Sequence, residues 1–176
     1  MANTYTLIEA QTLGSSAASV TFSAIPATYT DLLVKTSIRT SEPTYGYDNV
    51  YISFNGVPSG TAYSGKVLAD YVTGVLSQSQ TATSSFNYLY TESGAATANT
   101  FNNGEMYIPN AFSANYKSIS ADSVTESNSA SAYTSTRGIG AGLWSSTSAI
   151  TSIVFTSATG SFVQYSSFYL YGISNS

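Results

Sequence analysis

Apolar residues in this chain come in short runs that alternate with hydroxyl-bearing or charged residues and stop at Gly, Pro, Asn or Asp. A period of two over four to eight residues is what a strand with one buried face requires; an amphipathic helix would repeat its apolar residues three and four apart over a longer stretch. The clearest case is "DNVYISFNG". Val50, Ile52 and Phe54 share one face, Tyr51 and Ser53 the other, and Asn55-Gly56 supplies a turn pair that tolerates positive φ.

The same pattern recurs along the chain. It appears in "TYTLIEA" (Thr4 to Ala10), "ASVTFSAI" from Ala18 until Pro26, "DLLVKTSIRT" (Asp31 to Thr40), "FNYLYT" from Phe86, "FNNGEMYIP" ending at Pro109, and "KSISADSVTE" from Lys117. "RGIGAGLW" from Arg137, "AITSIVFTS" from Ala149 and the closing "SFVQYSSFYLYGIS" (Ser161 to Ser174) complete the series. Nine to ten strands at roughly 8–15-residue spacing predict an all-β, two-sheet antiparallel β-sandwich, most simply a jelly roll, as one domain over 1–176. The Asp31 to Thr40 strand reads as central, and the closing strand is expected to pair with the Ala149 strand through "SATGS". Between Val57 and Ser85 the alternation fades. "GKVLADYVTG" fits a short helical turn or a strand, and "SQSQTATSS" reads as a long loop of functional interest.

Composition removes whole classes of chemistry. Charged residues make up 8% of the chain and Ser plus Thr about a third, so hydroxyls dominate the surface. The net charge of −4 comes from residues scattered singly, which disfavours a nucleic-acid groove. With no Cys and no His, disulfides, thiolate or imidazole metal sites, Ser-His-Asp triads and Cys-His pairs are all excluded. No stretch approaches a membrane span, and the N-terminus has no basic region followed by an apolar one, so the chain is expected to be made without a signal peptide.

Four constellations remain. Asp31, Glu42, Asp48, Asp70, Glu92, Glu105, Asp122 and Glu126 are the available acid-base groups, and no spacing selects a glycosidase pair among them. Asp48, Asn49 and Asn55 offer oxygens to calcium without the spacing of an EF-hand, and turn chemistry explains them more simply. Gly138, Gly140 and Gly142 alternate in a strand and are not followed by a helix. They therefore suit close approach of a backbone or ring rather than a phosphate. No catalytic, cofactor or metal residues are assigned. Fifteen Tyr and eight Phe spread over many strands favour core and subunit interface, with a glycan platform as the competing use. Trp144 is expected to cap one end of the core.

The closing strand carries large side chains on both faces. Phe162, Phe168 and Leu170 are expected to face the core, and Tyr165, Tyr169 and Tyr171 to line the other face as a candidate interface. The cover for those tyrosines is expected to be Gly138, Gly140 and Gly142 of a neighbouring strand, or a second subunit.

The stretches "VTFSAIPATYTDLLVKTSIRT", "DNVYISFNG", "GEMYIPNAFSANYKSISADSVTES" and "GLWSSTSAITSIVFTSATGSFVQYSSFYLYGIS" together resemble small virion proteins of tailed bacteriophages, of the kind common in phages of marine bacteria and cyanobacteria. The similarity runs from Tyr5 to Ile173, is weakest between Ser59 and Thr100, and carries no catalytic signature. It implies a β-sandwich that coats or projects from a phage particle in the manner of capsid decoration (cement) proteins. The leading expectation is a decoration protein on the virion exterior that binds the major capsid protein and self-associates, a homotrimer being one option, with no enzyme activity, cofactor, nucleic acid or membrane. The alternative is a tail-fibre or host-recognition module binding surface glycans; a hydrolase is the third reading.

Overall fold

The computed structural model describes residues 4–56, 60–71, 74–129 and 135–174, and among them it contains twelve strands and no helix. Eight strands are divided between two layers, alternating in chain order except that β4 and β7 fall in the same one. β1 (Tyr5–Thr12), β3 (Asp31–Ser37), β8 (Asn103–Ile108) and β12 (Ser167–Ile173) lie in one layer; β2 (Ser19–Phe22), β4 (Tyr47–Phe54), β7 (Phe86–Glu92) and β11 (Ile153–Ser157) lie in the other. Their spatial orders, β1-β12-β3-β8 and β2-β11-β4-β7 with every neighbour antiparallel, are the double Greek key of a jelly roll. The predicted two-sheet sandwich is thus the fold that forms.

Two hairpins are inserted into this plan. β5 (Tyr63–Tyr71) and β6 (Gly74–Thr83) fall between β4 and β7, and β9 (Lys117–Val124) and β10 (Arg137–Trp144) between β8 and β11. Both join the first layer beyond β8 in the order β9-β10-β5-β6, making it eight strands wide. In the stretch Val57–Ser85 expected to hold a long loop, β5 makes "GKVLADYVTG" the strand that was one of its two readings, and β6 corrects the loop expected of "SQSQTATSS"; residues 57–59 and 72–73 lie outside the described residues. The cause is position. β6 closes the wide sheet past the reach of the narrow one, none of its residues is fully buried, and without a buried face no apolar alternation is needed.

The closing strand also departs from expectation. β12 pairs with β1 and β3, whereas β11 pairs with β2 and β4 in the opposite layer. The connection between them sends one large side chain into the core. Phe162 is fully buried at 5.1 Å from the ring of Phe168, and its main chain exchanges hydrogen bonds with Ala17, so the chain changes layer instead of turning back. Phe155 of β11 then meets Phe168 across the sandwich at 5.4 Å. Phe162, Phe168 and Leu170 are all fully buried, together with Phe22, Leu32, Val34, Val50 and Ile52. Each such side chain contributes roughly 1.5–3 kcal/mol by leaving water.

The alternating glycines of β10 explain how the insertion closes over the sandwich. They point inward, and the space that a side chain would fill holds Tyr90 at Gly138, Tyr88 at Gly140 and Phe86 at Gly142. β7, the end strand of the narrow layer, is therefore lidded by the inserted strands, and its Tyr90 amide donates to Ser123 Oγ of β9 at 3.0 Å. An edge strand that would otherwise present unpaired amides is covered. Trp144 ends β10, as expected of a core cap, in contact with Phe54 at 5.3 Å and stacked on Tyr63 at 6.3 Å. Beneath it Lys117 is fully buried; its ammonium donates to the carbonyls of Ser113 and Asn115 and sits 5.9 Å from the indole ring.

Asn55 holds the turn after β4. It takes a positive φ of 58°, its Oδ1 accepts from the Thr151 amide at 2.7 Å, and its Nδ2 donates to the Ala149 carbonyl at 2.8 Å. Asn55→Ala is expected to lose about 2 kcal/mol, from those bonds and from left-handed backbone that Ala tolerates poorly. Asn55→Gly is expected to recover the backbone part of the loss in urea unfolding.

Candidate interaction face

The outer face of the eight-stranded sheet is the widest surface that the fold leaves open. Strand register aligns its side chains in rows. One row runs Ala10, Tyr169, Lys35, Glu105, Asp122, Ile139, Leu68, Ser77 across all eight strands, and the next runs Leu7, Tyr171, Leu33, Tyr107, Ser120, Ala141, Lys66, Ser79. In the middle of the first row Lys35 is paired with Glu105, whose carboxylate holds the Lys35 ammonium above its usual pKa. Asp122 stands beside them with its pKa raised, first by partial burial and then by the charge of Glu105.

This charged ridge divides two apolar areas. On the β1 side, Tyr5 and Leu7 are exposed next to the half-buried Tyr171 and Tyr107. The Tyr107 hydroxyl donates to Asp31 Oδ2 at 2.7 Å, which pushes its pKa up to about 12 and fixes the ring against the sheet. On the inserted side, Leu68, Val75, Val124 and Ile139 are 54%, 71%, 44% and 67% exposed, and together with Asp122 they line a cleft of about 630 Å³. The Arg137–Asp70 ion pair crosses its rim. Exposed aliphatic side chains gathered this closely on one sheet face are the kind of surface on which interaction sites are sought.

The tyrosines predicted from sequence are divided by the structure. Tyr169 and Tyr171 stand half-buried on this outer face, one in each row. Tyr165 lies in the turn before β12, at a φ of 71° and 68% exposed, because the strand begins only at Ser167. The expected glycine cover is corrected. Gly138, Gly140 and Gly142 belong to β10, four strands from β12 in the sheet, and they face inward onto Phe86, Tyr88 and Tyr90.

Four of the eight candidate carboxylates are occupied in main-chain and hydroxyl hydrogen bonds. Glu42 accepts from the amides of Thr44 and Tyr45, Asp31 from the Asn110 amide, Asp48 from Ser157 Oγ and the Asn49 and Thr159 amides, and Glu126 from the Asn128 amide. Glu105 and Asp122 are cross-strand neighbours, but on an open face with Lys35 bound to one of them. The calcium candidates do not converge. Asp48 and Asn55 sit at opposite ends of β4, and among the described residues no group of three acidic side chains could hold a metal ion.

The burial of three charged residues was not foreseen in the sequence, Glu92 being named there only as an acid-base group. Lys117 is one. Arg39, 8% exposed, donates to the carbonyls of Ala96, Thr97 and Thr100 and so ties down the loop after β7. Glu92 is completely buried at the end of β7. Alternation alone does not signal them, since each sits at a strand end where pattern gives out. Comparison of the sequence with family models and with curated proteins finds no match to either.

Proposed function

We propose that this chain is a structural virion protein of a tailed bacteriophage, a decoration protein that binds the outside of the major capsid shell and strengthens it by adhesion rather than by chemistry. The observation that carries the reading is the outer sheet face, with two apolar areas either side of one charged ridge. The sequence resemblance to small phage virion proteins points the same way, and the jelly roll supplies a rigid base for such a face. Adhesion of this kind needs about 1,600 Å² of total buried surface per contact, and repetition over a shell adds avidity. Low charge lets copies crowd without mutual repulsion. In this reading the protein acts with no cofactor, self-associates, and contacts neither nucleic acid nor membrane.

Particles depleted of the protein are expected to lose resistance to heat and osmotic shock, with wild type present in many copies per shell. Unchanged fragility would sink the proposal. Ile139→Asp combined with Leu68→Asp is expected to abolish rebinding to depleted shells while leaving the thermal midpoint of the free protein in place, because both side chains are more than half exposed. A second reading, a tail-fibre module that binds host glycans, draws on the ring-rich β1 side of the face, where Tyr5, Tyr107 and Tyr171 gather. Low copy number together with glycan binding lost on Tyr171→Ala would favour it.

A further inference from the structure

The wide sheet ends in two open edges of different character. β1 carries Glu9 and an irregularity between Leu7 and Glu9 that breaks its register. Charges and bulges of this kind are how an edge is kept from pairing with another strand. β6 has neither device along Gly74–Gln80. Its ten residues, GVLSQSQTAT, include no charge and no proline, and it stays in register with β5 from Gly74 to Gln80. Apart from Leu76, Gln80 and Thr83, each of its residues is exposed. A long, flat, uncharged edge bearing unpaired main-chain amides and carbonyls is a template for strand addition.

We propose that β6 pairs antiparallel with β6 of a second copy of this chain, joining two eight-stranded sheets into one. Three features favour a second copy as the occupant. With no charged side chain, the strand meets itself without like charges opposed, whereas a basic or acidic partner segment would find nothing complementary on it. Ser77, Gln78, Ser79 and Gln80 each carry both donor and acceptor capacity, so whichever of them face one another across the twofold can satisfy each other. Exposed Val75 on the edge and Leu68, diagonally across from it on β5, line the same cleft, on a surface that pairing would bring near its symmetry mate.

Antiparallel pairing places the twofold axis perpendicular to the sheet. Both outer faces then look the same way, and the two clefts around Leu68, Val75, Val124 and Ile139 become one two-headed surface. This closes at two copies and refines the self-association in the proposed function, on which only its use in adhesion rests. The pairing itself stands on the edge alone.

The absence of cysteine from the chain makes the test clean. Single-cysteine variants along β6, at Ser77, Gln78, Ser79 and Gln80, are expected to form disulfide-linked dimers on mild oxidation, most efficiently at the position nearest the axis; Leu7→Cys on β1 is expected to form none. By sedimentation equilibrium the wild-type chain is expected to be a dimer, and Ser79→Lys to raise the dissociation constant at least about tenfold with an unchanged circular dichroism spectrum. A wild-type chain that stays monomeric at high micromolar concentration, or cross-linking no better on β6 than on β1, would overturn the pairing and leave the capsid reading intact. A β6-linked dimer that does not bind shells would overturn the capsid reading and leave the pairing.

Discussion

Gly138→Ala is expected to destabilise the protein by about 3 kcal/mol and to lower its thermal midpoint by about 10 °C, a larger effect than its single added methyl suggests. A Cβ built at Gly138 lies 2.5 Å from Cε2 and 2.6 Å from Cδ2 of Tyr90, against the roughly 3.5–4.0 Å at which carbon atoms normally pack. The ring has nowhere to retreat. Tyr90 is 1% exposed and is held edge-on by Tyr47 at 6.0 Å. Gly142 meets the same obstacle at 2.6 Å from Phe86, so Gly138→Ala with Gly142→Ala should remove most of the stability of a domain of this size. Because the conflict is with the ring edge, Tyr90→Phe should give no relief, while Tyr90→Leu should be less damaging on the Gly138→Ala background than alone. Such coupling, measured in a double-mutant cycle by urea unfolding, is the signature of direct contact. Gly14→Ala, with nothing within 4 Å of the added carbon, is the control. Equal midpoints for Gly138→Ala and Gly14→Ala would refute the account of how the insertion closes over β7.

Alternation made the eight jelly-roll strands legible, because each has one face against the other layer and so must write its burial into a period of two. β4 is the plain example: Val50, Ile52 and Phe54 are buried as the pattern requires, and the positive φ of Asn55 and Gly56 follows from the turn residues. β6 was illegible for the opposite reason. A strand that overhangs the sandwich gains nothing from apolar residues, and Ser, Gln and Thr spell loop and uncovered edge alike. The glycines of β10 announced close approach by something bulky, but which rings approach depends on the order β8-β9-β10-β5, and sheet order over that distance is not written in local sequence. The outer sheet face followed the same division. Tyr169 and Tyr171 could be placed on that face because they alternate with core residues in one strand, whereas Leu68, Val124 and Ile139 come from three strands and meet only through register. Each was visible as an exposed-phase apolar residue; their adjacency was not.

Glu92 gives the second large effect, and its sign runs against the usual behaviour of paired carboxylates. The side chain is fully buried, and neither carboxylate oxygen has a hydrogen-bond partner. Burial pushes its pKa up to about 7; the charge of Arg39 and the nearby amide of Glu126 oppose that shift, and the Glu126 carboxylate adds to it. Arg39 cannot do more, since its guanidinium is spent on the carbonyls of the Ala96–Thr100 loop. Between pH 4.5 and about 7 the folded protein therefore keeps a proton that the unfolded chain has released. The folded state binds more protons there, so stability falls as pH rises through this window and levels off above it. The shift corresponds to about 3 kcal/mol lost between pH 4.5 and 8. Asp48, whose pKa is also raised by burial, adds to the same trend. Glu92→Gln keeps the shape of the neutral acid without its titration. Urea unfolding of this variant is expected to show a much flatter pH dependence from 5 to 7 than wild type, and greater stability than wild type at pH 8. Parallel slopes for the two proteins would show that Glu92 reaches water or a counter-charge in the folded state and that its burial does not set the acid preference.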